Sequence, residues 1–93
     1  MASVVKATVG TGWLGSGQTT WWGWKITYGD AWYFWAEDAG MSPSVGMKRQ
    51  IEVVRTIAVL ERVDSSYVRY ALVQLHNPGT QTSSFVLRVV RVV

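Results

Sequence analysis

No cysteine occurs in this chain, which excludes a disulfide framework and any thiolate metal site and leaves the redox compartment open. There is one histidine, and with no second imidazole and no thiol to join it a zinc centre is not expected. Charge is sparse at 16%, yet 48% of the residues are apolar, too many for a disordered chain. The apolar runs stop well short of the roughly 18 residues a membrane helix requires. No stretch repeats its apolar residues with the spacing of a helix face. The opening residues, Met1 to Ala7, lack the basic start and long apolar stretch of a secretory leader. The expectation is a cytoplasmic chain or an excised segment of a secreted protein. At 93 residues, one two-layer core is the natural limit, so residues 1–93 are expected to form a single domain.

What the chain has in excess is tryptophan. Five of its six lie between residues 21 and 35, as Trp21-Trp22-Gly23-Trp24 and Trp32-Tyr33-Phe34-Trp35. Such density calls either for an unusually aromatic core or for a surface that stacks on something flat. The basic residues lie elsewhere. Residues 1–40 carry a net charge of −1, and residues 41–93 carry +4.

Period-two alternation and β-branched residues predict six strands, near 3–9, 18–27, 31–38, 49–63, 67–76 and 84–92. Gly10-Thr11-Gly12 and Gly15-Ser16-Gly17 punctuate the first connection, with Asp64-Ser65-Ser66 and Asn77-Pro78-Gly79 marking later turns. Residues 39–46 read as a crossover between two packed sheets, because neither half of the chain can bury its apolar faces alone. The fold expected is an all-β, six- or seven-stranded antiparallel sandwich, with a small closed barrel as the alternative. The layout of short strands with a late Asn-Pro-Gly turn is similar to many small bacterial sandwich modules, and no family motif accompanies it.

Gly29-Asp30 suits a two-residue hairpin turn. That pairing would set Trp22, Trp24, Ile26, Tyr28, Tyr33 and Trp35 on one face, the expected core side. Trp21, Lys25, Thr27, Trp32, Phe34 and Asp38 would share the other, with small Gly23 and Ala36 between them. An indole plane packs on the C–H face of a sugar ring, while Lys25, Thr27 and Asp38 supply hydrogen bonds to its hydroxyls. Trp13, in the glycine-rich loop, would plug the open end of the core or close over the same patch as a lid. The alternative is that these aromatics are covered by another strand, a loop or a partner subunit. A three-residue loop over residues 64–66 would set Glu61 opposite Arg69 and Ile57 opposite Val73.

Other signals are weaker. Gly10, Gly12 and Gly15 match GxGxxG, but an aromatic strand follows where a dinucleotide site needs a helix N-terminus. Glu37 and Asp38 are adjacent on a strand and point to opposite faces, so they cannot flank one glycosidic bond. His76 has no nucleophile-elbow serine to serve. The arginines of the second half raise single-strand nucleic-acid binding, which needs basic and aromatic residues interleaved on one face. The C-terminal run from Ser84 is apolar on both faces and predicts burial against a neighbour, as in a homo-oligomer. The expected function is a non-enzymatic, lectin-like carbohydrate-binding module without a cofactor. A self-assembly module with its tryptophans at the interface is the second reading, and nucleic-acid binding the third.

Overall fold

The computed structural model describes residues 4–40 and 42–92, and at Val4 the backbone alone. Ser3, Met41 and Val93, at the first expected strand, the crossover and the C-terminal run, lie outside them. The described residues form β1 (Val4–Leu14), β2 (Thr19–Lys25), β3 (Ala31–Glu37), β4 (Glu52–Val63), β5 (Ser66–His76) and β6 (Ser83–Val92). All neighbouring strands run antiparallel, in two three-stranded sheets ordered β1-β6-β3 and β2-β5-β4. The expected all-β architecture is what the structure shows. The two sheets share no strand, so the result is an open sandwich. Among the described residues, no helix is long and apolar enough to cross a membrane.

The chain changes sheet at every connection among these strands except the β4–β5 turn. The segment from β3 to β4 does cross between sheets, as residues 39–46 were expected to. The Gly29-Asp30 hairpin does not form. β2 pairs with β5, while β3 pairs with β6. The cause lies at the two ends of the connection. The Ile26 amide donates to Arg69 O at 3.1 Å and stays with the second sheet. The Asp30 carboxylate accepts from Arg91 Nε at 2.6 Å and is tied to β6 in the first. Residues 27–29 span the gap, with Gly29 at φ +91°, a conformation that costs glycine nothing.

Between the sheets, Leu14, Phe34, Phe85, Leu87 and Val89 meet Ala71, Val73 and Leu75. Trp22, Trp24, Ile26 and Trp32 pack around this core, and Trp22 meets Phe85 edge-to-face at 6.1 Å. β1 runs through Gly10 and Gly12 instead of ending before them, because these glycines make room for rings. A Cβ at Gly10 would lie 2.3 Å from Trp22, and one at Gly12 would lie 3.0 Å from Phe85. The chain turns afterwards, where Gln18 N donates to Gly15 O.

Fully buried Asn77 fastens this end of the sandwich. Its Nδ2 donates to Leu14 O at 2.8 Å and Gln81 O at 2.7 Å, and its Oδ1 accepts from Gly79 N at 2.9 Å. Its backbone bonds Gln18 O and Gly17 N. At the other end, β4 and β5 turn at Asp64 and Ser65, with Val63 opposite Ser66. This two-residue turn, with Asp64 at φ 53°, moves the register by one residue from the expected pairing. Glu61 faces Val68 and Ile57 faces Leu72.

Candidate binding surfaces

Because β2 and β3 lie in opposite sheets, the expected aromatic platform is divided. Trp32 and Phe34 face the interior from β3, on the side of the core. Trp21 and Lys25 stand on the outer face of the other sheet, opposite Gln74 and Tyr70 of β5. Thr27 lies in the β2–β3 connection, where its carbonyl accepts from Asp30 N at 3.4 Å. The Asp38 carboxylate accepts from Gly40 N at 2.7 Å and Ser83 Oγ at 3.3 Å, so it fixes the segment after β3. Trp13 is no plug. It stands opposite Ser84 near the end of β1 and is 65% exposed.

What the structure brings together on the outer face of the β1-β6-β3 sheet is a different aromatic pair. Tyr33 and Trp35, two residues apart on β3, stack with centroids 6.0 Å apart and planes 28° apart. The two residues were expected in the core; Tyr33 is instead 66% exposed. Arg88 pairs with Trp35 across the strands, forms an ion pair with Glu37 and lies 3.4 Å from Thr8 Oγ1. Lys6, Thr8, Trp35 and Arg88 line a shallow cavity of about 240 Å³. Ring planes, two cations, a carboxylate and a hydroxyl thus share one flat surface. Alternation alone would have found this pair, had β3 been assigned to a sheet of its own.

Arginines of the basic half do reach aromatics of the other half. The Arg55 guanidinium lies 5.8 Å from the Trp21 ring centroid, Arg69 lies 4.6 Å from Tyr28, and Arg91 lies 5.4 Å from Trp32. These three contacts lie apart from one another, so they form no continuous basic and aromatic track. Among the described residues, no three histidine, aspartate or glutamate side chains gather as metal ligands.

The second unusual surface is the far end of β4 and β5. β2 accompanies β5 only as far as Tyr70, paired with Lys25. From there to the turn, β4 and β5 continue as a two-stranded ribbon. Apolar side chains remain exposed on both of its faces, with Leu60 53% and Tyr67 63% accessible beside Val63 and Val68. The radius of gyration is 15.3 Å, against about 12 Å for a compact chain of this length. β4 is also a sheet edge along its twelve residues. Between its start and the edge of β3 lies an open seam of about 420 Å³, lined by Trp32, Phe34, Ala36, Val53 and Thr56 among others. No protein-family model, curated protein or solved structure matches this chain.

Proposed function

We propose that this chain is a self-associating structural module, a β-sandwich subunit whose apolar surplus is covered by further protein. One observation carries the reading: the β4–β5 ribbon is two strands wide and apolar on both faces. A two-stranded hairpin is marginal in water unless something packs on it. A ribbon of this composition left bare would lose little by pairing with another chain and much by staying exposed. Sedimentation velocity over a concentration series tests this. The expected result is a reversible shift to a species at least twice the 10.4 kDa of the chain. Leu60→Lys, on the ribbon and outside the core, should move the equilibrium toward monomer. A folded monomer at every concentration contradicts the reading.

Carbohydrate binding is the second reading, now carried by Tyr33 and Trp35 on the outer sheet face. The exposed Tyr33 ring and the half-buried Trp35 ring, beside Lys6, Thr8, Glu37 and Arg88, suit the apolar face and the hydroxyls of a sugar. Affinity chromatography on immobilised polysaccharides should show retention that Trp35→Ala removes and Trp21→Ala leaves intact. Equal loss in both variants would speak against this site.

A further inference from the structure

We infer that β4 pairs edge to edge with β4 of a second copy, antiparallel about a twofold axis at Ala58, making one continuous six-stranded sheet. The inference rests on the self-association reading and assigns its interface. The regular part of β4 is bounded on both sides. A bulge at Val53 and Arg55 interrupts the ladder at one end, and the Asp64-Ser65 turn ends it at the other. Between them lies Arg55-Thr-Ile-Ala-Val-Leu-Glu61, a segment that reads as its own complement when reversed.

Set antiparallel about Ala58, each Arg55 faces the Glu61 of the other copy. Thr56 then faces Leu60, Ile57 faces Val59, and the two Ala58 residues face each other. Arg55 and Glu61 are six residues apart and share the outer face of the sheet, so the charges meet on one side in two symmetric pairs. Shifting the axis by one residue destroys this. Centred on Ile57, Arg55 meets Val59. Centred on Val59, Arg55 meets Val63 and Glu61 meets Ile57. Opposite charges directly across a strand pair stabilise it, and a charge facing an apolar residue does not.

Two further features favour that register. Both charges are already held in place by β5. Arg55 Nε donates to Gln74 Oε1 at 3.1 Å, and Glu61 Oε2 accepts from the Tyr70 hydroxyl at 2.8 Å. The open seam beside Val53 and Thr56 also lies where the pairing would bring the partner strand. Leu60 of the second copy, opposite Thr56 on the inner face, would enter a space walled by Trp32, Phe34 and Ala36. An exposed leucine and an unfilled apolar space would then cancel.

The chain has no native cysteine, so a single introduced thiol reports the axis cleanly. Ala58→Cys under mild oxidation should convert most of the protein into covalent dimer at concentrations where the unmodified chain associates. Val63→Cys, which lies five residues from that axis and therefore ten residues along the strand from its own copy, should not. Arg55→Glu and Glu61→Arg alone should each weaken association at least tenfold, and the two together should restore it. Circular dichroism would establish that each variant is folded. Should the chain associate while Ala58→Cys fails to cross-link, or while charge reversal has no effect and the double variant no rescue, the edge pairing is wrong and self-association stands. A unmodified chain monomeric at every concentration overturns both.

Discussion

At the scale of single residues, one buried polar side chain can matter to stability as much as a core apolar one. Asn77 satisfies two carbonyls and one amide where the β1–β2 and β5–β6 connections meet. Removing it leaves those groups without a partner in a site closed to water, at about 1–3 kcal/mol for each orphaned group. Asn77→Ala should therefore cost about 3 kcal/mol or more in urea denaturation. Asn77→Asp, though nearly the same shape, should do no better, because a carboxylate cannot donate to Leu14 O and Gln81 O. Recovery of most of the stability in the aspartate variant would contradict the assigned donor role. Tyr70 offers a second residue-level test. Its hydroxyl donates to Glu61, which raises its pKa above the ordinary tyrosine value of about 10, with desolvation and the Glu61 charge acting in the same direction. A tyrosine that resists ionisation in the folded state adds stability that is complete below the ordinary value. That stability is lost as pH rises through the raised one. Ultraviolet titration of the phenolates should show one late-ionising tyrosine, returning toward the ordinary value in Glu61→Gln.

At the scale of elements, the strands were legible and their partners were not. Period-two alternation located all six, since a half-buried strand must show it whichever neighbour it takes. The Gly29-Asp30 signal failed because turn chemistry is local. A glycine at positive φ serves a five-residue crossing as well as a tight hairpin, and the Arg91–Asp30 ion pair that decides the matter joins residues 61 apart. That single wrong pairing exchanged the faces of β3. It sent Tyr33 and Trp35 into the expected core and brought Trp32 and Phe34 out to the surface. The glycines of β1 misled for a related reason. Locally they read as punctuation, whereas the space they leave is filled by Trp22 and Phe85 from elsewhere in the chain. This distinction has a measurable form. Gly10→Ala should destabilise by about 1–3 kcal/mol through overpacking against Trp22. Gly23→Ala, on β2 with nothing within 4 Å of a new Cβ, should be neutral or stabilise by about 0.4–1 kcal/mol through the unfolded chain. Equal losses at the two positions would mean that backbone conformation and not ring packing sets the need for glycine.

Across the whole molecule, stability should divide into two regions that answer differently to dilution. The centre, where Phe85, Leu87 and Val89 meet Val73 and Leu75, is sealed within one subunit. Its amides can open only when the sandwich opens. The edge of β4 and the ribbon beyond Tyr70 have no such cover, so a lone subunit should exchange their amides quickly. Association changes this by mass action, because only the paired form protects them. Hydrogen exchange followed by mass spectrometry should therefore find peptides over residues 55–63 slow at high concentration and fast after dilution. Peptides over residues 85–89 should keep their protection across the same range. Arg55→Glu at high concentration should reproduce the pattern of the diluted wild type, which ties the protected edge to the charge pair and not to crowding. If protection of residues 55–63 is the same at all concentrations and in that variant, the edge is stable by itself. The apolar ribbon then needs no second copy to account for it.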